Sequence, residues 1–203
     1  MKLFIFLFMF ALSTAQATTV RIHEVLYDGL GSDADDVFTE LSGTAGQSLD
    51  GWFLKGVNGG TGSVYRTVDL SGAVIPEDGL LLIVTGSAGA GLAGIADYVA
   101  NIDWQNGPDA VQLWFGDVLV DALQYGDAGV FNAGEGQFAG LTPAGQSLSR
   151  DQYGADTNNN AVDFSVGAAT PGAGLAPVPV PSAIWLMGSA LVGLCLKRRK
   201  TMA

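Results

Sequence analysis

From Asp156 to Asp163 the chain places oxygen-bearing side chains at alternate positions, Asp156, Asn158 and Asn160. Hard cations such as Ca²⁺ take six to eight oxygen ligands, so such spacing is one way for a loop to begin wrapping an ion. The sixth position of the loop is Ala161 where a turn glycine would be needed, and the twelfth is Gly167 where a bidentate Glu would be needed, which excludes an EF-hand. Two readings remain. The three residues are calcium ligands, or they form an Asx-rich turn in which the side chains bond their own backbone. Asp33, Asp35 and Asp36 form a second acidic loop with the same two readings.

Other chemistry has little to work with. The chain has one His and one Cys, which excludes a His-rich metal centre, a Cys-based zinc site and an internal disulfide framework. His23 is the only imidazole base, and no Gly-x-Ser-x-Gly elbow accompanies it. Gly89-Ala90-Gly91-Leu92-Ala93-Gly94 matches G-x-G-x-x-G after an apolar run, yet the helix that should follow is weak and no βαβ alternation surrounds it. A flexible loop is the better reading. Twenty acids leave a carboxylate pair for glycoside hydrolysis open, but nothing in the sequence selects a pair. Nine basic residues cannot build a surface that tracks phosphates, so no nucleic-acid partner is expected.

The elements that would position these residues read as strands. Val20, Ile22, Glu24 and Leu26 alternate with Arg21, His23, Val25 and Tyr27. Short apolar runs follow at Val37–Leu41, Trp52–Val57, Val64–Leu70, Leu80–Thr85, Ala110–Phe115 and Val118–Tyr125, separated by Gly, Asp, Asn or Ser. Gly116-Asp117 between two such runs predicts a tight hairpin. No segment sustains a 3.6-residue period, so few helices are expected. Gly residues number 29 of 203, in keeping with many turns. The series predicts an all-β sandwich or barrel. Glu24 and Glu40 interrupt apolar strands. Each is expected to point outward or to pair with Arg21, Arg66 or Arg150, because a buried unpaired carboxylate is costly. Trp52 is expected to fill space between sheets, and Arg150 to bond carboxylates or loop carbonyls through its planar fork.

Hydropathy is concentrated at the two ends of the chain. Met1-Lys2, the apolar run Leu3–Leu12 and the small-x-small pattern Ala15-Gln16-Ala17 follow the order of a secretory signal peptide over residues 1–17, with a mature start at Thr18. Val178 to Leu196 is a second apolar stretch of 19 residues, just long enough to span a bilayer as a helix. Lys197-Arg198-Arg199-Lys200 should stay cytoplasmic, and Trp185 suits the outer interface. Cys195 falls inside this helix as a small apolar filler. With residues 1–17 and 177–203 set apart, the body keeps only Arg21, Lys55, Arg66 and Arg150 against twenty acids, a balance of −16 where the whole chain carries −11.

Val178-Pro179-Val180-Pro181-Ser182, the Gly-containing helix and the basic end resemble a PEP-CTERM sorting signal, here with Val180 where that family has Glu. The resemblance covers about the last 25 residues. It implies recognition by an exosortase-type membrane peptidase in a Gram-negative bacterium and cleavage near Pro181. The inner membrane would be only a transient anchor, with export to the cell surface or an exopolysaccharide matrix.

The body resembles a lamin tail domain, an Ig-like β-sandwich, over roughly Val20 to Gly174. The residues that carry the likeness are Ile22–Asp28, Phe38-Thr39-Glu40-Leu41, Leu49-Asp50-Gly51-Trp52-Phe53-Leu54, Ser147-Leu148-Ser149-Arg150, the Asp156–Phe164 segment and Thr170-Pro171-Gly172. Val37 and Gly43 depart from the family pattern, and residues 86–145 align with none of its motifs. The tail resemblance implies an exported destination, and the missing nucleophile–base set points to a non-enzymatic structural or adhesive module over residues 18–176, with polysaccharide or surface proteins as partners; the Asp/Asn loop makes calcium the one cofactor to test.

Overall fold

The computed structural model describes residues 20–173. The signal-peptide residues Ala15 and Ala17 lie outside the described residues. So do Pro179, Pro181, Lys197, Arg198, Arg199, Lys200, the apolar C-terminal stretch and Cys195. Among the described residues no helix is long and apolar enough to cross a membrane.

The described chain is mostly β. Its strands are β1 (Arg21–Leu26), β2 (Phe38–Ser42), β3 (Trp52–Asn58), β4 (Val64–Asp69), β5 (Leu80–Val84), β6 (Tyr98–Val99), β7 (Asp109–Phe115), β8 (Val118–Tyr125), β9 (Gln146–Ser149) and β10 (Ser165–Ala168). Three helical turns of four residues each interrupt them: α1 (Asp33–Asp36), α2 (Ala90–Ala93) and α3 (Asn160–Asp163). The strands form two open sheets, six-stranded in the order β10-β9-β1-β2-β5-β6 and four-stranded in the order β4-β3-β7-β8. One apolar cluster draws on both, with Ile22, Val25 and Leu41 from the first and Leu54, Val111, Leu113 and Leu123 from the second.

Most strand pairs are antiparallel, so each sheet can present one face to the core and the other outward. On β3, Trp52 and Leu54 are buried while Phe53 and Lys55 are half-buried, and Lys55 Nζ lies 3.9 Å from the centre of the Trp114 ring. β2 and β5 break this alternation because every residue in them is buried. A continuous run such as Leu80–Val84 belongs to a strand covered on both faces. Ala88, Leu92, Ala96 and Ala169, partly buried outside the strands, pack against the apolar cluster. The predicted hairpin is present: Phe115 pairs with Val118, and Gly116 takes φ +55, a backbone state that glycine adopts without strain.

Aromatic residues join the layers. Tyr27 and Tyr125 stack with ring centres 4.0 Å apart. The Trp104 indole N–H donates to Thr39 Oγ1 at 2.8 Å while the ring is buried, which resolves the polar end that every buried Trp carries into a core. Trp52 joins the core as expected and meets Phe115 at 5.2 Å.

The structure corrects two expectations. β6 pairs with β5 in parallel, so a rudimentary βαβ crossover does surround the Gly89–Gly94 segment. Glu24 and Glu40 do not point outward, being 1% and 0% exposed, and their hydrogen-bond partners are not arginines.

Candidate functional site

The densest set of charged side chains gathers around Arg150, just past the end of β9. Its backbone N–H donates to His23 O at 2.9 Å, which fixes the residue beside β1. Its guanidinium then divides among several acceptors. Nε donates to Ile22 O at 2.9 Å, Nη1 to Ala155 O at 2.8 Å and Nη2 to Asp121 Oδ1 at 2.8 Å. Nη1 also lies 3.3 Å from Asp163 Oδ2 and 3.7 Å from Asp156 Oδ1. Phe164 offers its ring face 4.3 Å from the guanidinium carbon. The second carboxylate oxygen of Asp121 accepts the Ile22 N–H at 2.7 Å. Both backbone groups of Ile22 are therefore satisfied by side chains, and Asp121 on β8 and Arg150 after β9 stitch the two sheets together. The planar fork serves this role because it holds several donors in fixed directions.

Three acids of this cluster, Asp121, Glu135 and Asp156, offer oxygens that all lie within 4.8 Å of one another. Their environments differ. Burial pushes the Asp121 carboxyl up, against the pull of Arg150 and the Ile22 N–H. Glu135 is pushed up to about 7, first by desolvation and then by the neighbouring Asp121 and Asp156, and its Oε2 is buried without a hydrogen-bond partner. For Asp163, desolvation opposes ionisation, but hydrogen bonds from Thr157 and Asn159, with Arg150, hold it below the ordinary carboxylate value. The cluster thus gathers acids around a buried cation, and one of them, Glu135, is pushed up to about 7.

The three calcium candidates take separate places. Asp156 joins the cluster: Oδ2 accepts from Arg21 Nε at 3.0 Å, and Oδ1 accepts the Asn158 N–H at 3.2 Å. Asn158 sits on the exposed loop with φ 57, a left-handed conformation that Asn tolerates. Asn160 is fully buried. Its Oδ1 accepts the N–H groups of Gln124 (2.8 Å) and Glu135 (3.0 Å), and its Nδ2 donates to Ala122 O at 2.7 Å. Two accepted bonds occupy both lone pairs of that oxygen. Asp163 completes the loop by accepting the Thr157 and Asn159 N–H groups and the Thr157 hydroxyl. The segment closes on itself as an Asx-rich turn tied to β8.

A second polar site lies on the six-stranded sheet. Glu24 and Glu40 are direct cross-strand partners on β1 and β2. Glu24 accepts the Ser147 hydroxyl (2.6 Å), the Thr170 N–H (2.8 Å) and the Thr170 hydroxyl (2.6 Å). Glu40 Oε1 accepts the Gly172 N–H at 2.8 Å.

The remaining candidates stand apart. His23 is buried in β1, and desolvation lowers its pKa despite the opposing charge of Glu24, so the ring is neutral at pH 7. Asp33, Asp35 and Asp36 all lie in the single turn α1, where Asp33 accepts the Gly29 N–H at 3.1 Å. Gly89 to Gly94 spans α2, a four-residue turn. Sequence reasoning did not single out Asp121 or Glu135. Asp121 carried a usable signal, one acid inside the apolar run Val118–Tyr125. Glu135, in a Gly-rich loop, carried none.

Compared with known proteins, the chain matches no family model, no curated protein and no solved structure.

Proposed function

We propose that this protein is an exported, non-enzymatic module of the cell surface or extracellular matrix, built on a lamin-tail-like Ig β-sandwich. The carrying observation is the pair of terminal segments: an export signal at residues 1–17 and, at 177–203, a Pro-x-Pro, apolar and basic series of PEP-CTERM type. On this reading signal peptidase releases the N-terminus at Thr18. The apolar C-terminal stretch holds the body outside the inner membrane until an exosortase-type peptidase cuts near Pro181. Exopolysaccharide or other surface proteins are then the partners within reach.

The finer fold assignment draws support from where its motif residues lie. Glu24 and Glu40 come from the first two motifs and contact Thr170 and Gly172 of the last. Arg150, closing the Ser-Leu-x-Arg motif, binds the Asp156–Phe164 segment. The non-enzymatic reading draws support from the contacts of Glu24 and Arg150, whose charged groups are taken up by hydroxyls, backbone and a neighbouring acid.

Mass spectrometry of the protein isolated from its native cells tests the reading. The expected species begins at Thr18 and ends near Pro181, in the surface or matrix fraction. An uncleaved chain in the cytoplasm overturns it. The alternative of a calcium-stabilised surface domain draws on the oxygens of Asp121, Glu135 and Asp156 lying within 4.8 Å of one another. A melting temperature unchanged by chelator removes that alternative and leaves the export reading standing.

A further inference from the structure

Glu24 and Glu40 lie side by side in the middle of the six-stranded sheet, and both are buried. Adjacent buried carboxylates without a cation resist double ionisation. Among the described residues, the charged groups acting on Glu40 are all acids: Glu24 on β1, Asp78 before β5 and Asp97 before β6. The two glutamates differ in how they are satisfied. Glu24 accepts three hydrogen bonds from Ser147 and Thr170. Glu40 accepts one, from the Gly172 N–H, and its Oε2 is buried with no partner. Both therefore hold one short segment, Thr170-Pro171-Gly172, across the sheet, immediately before the chain leaves the described domain.

We propose that Glu24 and Glu40 form a proton-dependent clasp on the segment Thr170–Gly172, closed while Glu40 carries a proton and loosened when Glu40 is ionised.

Burial pushes Glu40 up to about 7, against the favourable Gly172 N–H, and the three neighbouring acids add to the rise. Lifting the segment exposes Glu40 to water and returns it toward its ordinary value of 4.5. Opening therefore releases a proton, and rising pH favours it. Below pH 4.5 the protonated state stabilises the clasp fully; that stability is lost as pH rises through about 7, and the effect levels off above. Linkage makes opening up to about tenfold more frequent per pH unit inside that window. Glu24 accepts three hydrogen bonds, two of them from Thr170 of the segment, and Glu40 is the arm that responds.

Hydrogen exchange of the full chain in detergent tests the clasp at the amides of Thr170 and Gly172, with rates corrected for the pH dependence of intrinsic exchange. Protection at Gly172 is expected to be on the order of 10- to 100-fold lower at pH 8 than at pH 5. The Leu54 amide in β3 reports global unfolding and is expected to change much less. Glu40→Gln keeps an acceptor for Gly172 and cannot ionise, so its Gly172 protection should be flat with pH. Protection that does not fall in the wild type, an equal fall at Leu54, or a fall retained in Glu40→Gln each overturns the proposal. NMR titration of the Glu40 side-chain carboxyl in the wild type needs no variant; a midpoint near 4.5 overturns it as well.

Discussion

Arg150 Nη2 lies 2.8 Å from Asp121 Oδ1, with both side chains wholly withdrawn from solvent, and the contact joins the strand end after β9 to β8 of the other sheet. A buried pair of this kind adds little net stability over apolar residues of the same shape, but breaking it leaves a buried charge unpaired. Here the guanidinium also serves Ile22 O and Ala155 O. Arg150→Lys is therefore expected to lose about 3–5 kcal/mol in urea unfolding, because a point-like ammonium cannot reach three acceptors in different directions. A loss below about 1 kcal/mol would mean that the two sheets are held together without this contact.

Asn160→Asp separates a structural amide from a cation ligand. An aspartate would keep or strengthen a calcium site, since it adds charge to the ligand set. In the structure the Asn160 amide donates to Ala122 O, and a carboxylate would face that carbonyl with no proton to give. The expected result is a destabilisation of about 2–3 kcal/mol that added calcium does not restore. Thermal melts with calcium and with chelator check it; a variant as stable as the wild type, or one rescued by calcium, would return Asn160 to the ligand set.

Much of the fold was legible because local patterns coincide with long elements. Seven apolar or alternating runs became β1 to β5, β7 and β8, with bounds shifted by a residue or two. β6 was not legible: two residues, Tyr98 and Val99, pair with β5 only because the α2 turn returns the chain alongside it. β9 was visible as motif residues but not as a strand, and β10 not at all, since Gln146–Ser149 and Ser165–Ala168 are mostly small or polar and depend on β1 and on each other for partners. The charged cluster was half legible. Arg150 stood out as one of four cations in an acidic body, whereas Glu135 is brought to the cluster by backbone and side-chain bonds with Asn160, 25 residues away. The fate of Glu24 and Glu40 was misread for a related reason. A carboxylate can be satisfied by backbone N–H groups and hydroxyls, and no pattern of charged residues reveals those donors.

Gly134 lies under that same Asn160 amide. A β-carbon added there would run into Asn160 Oδ1 and the Gln124 side chain, and would lie 2.6 Å from the Gln124 backbone nitrogen. Those atoms already form the hydrogen bond between Gln124 N–H and Asn160, so they cannot move apart without breaking it. Gly134→Ala is expected to cost about 2–4 kcal/mol through overpacking and the lost bond. Gly140→Ala, which meets nothing within 4 Å but sits at φ +95, is the contrasting case. Its cost should stay near the ~1 kcal/mol of backbone strain alone. Urea midpoints of the two variants give the comparison, and equal losses would mean that the contact at Gly134 relaxes freely.

Glu135 gives the fold an inverted pH response. Its pKa rises from 4.5 to about 7 in the folded chain, by desolvation and by Asp121 and Asp156. Between those values the folded state keeps a proton that the unfolded chain has released, so stability falls as pH rises through the window and levels off above it. Asp163 acts the other way at its own end of the scale. It is held below its ordinary 3.8, and its contribution is lost as pH falls through the folded value. From these two groups, maximum stability is therefore expected near pH 4, between the ordinary values of Asp163 (3.8) and Glu135 (4.5). Because Glu135 is only partly buried, its share of the alkaline loss is discounted to about 1 kcal/mol between pH 5 and pH 8. Glu135→Gln should recover that amount at pH 8 and change little at pH 4.5. Urea unfolding across the pH range measures both curves, and parallel curves for the two proteins would show that Glu135 titrates alike in the folded and unfolded chains.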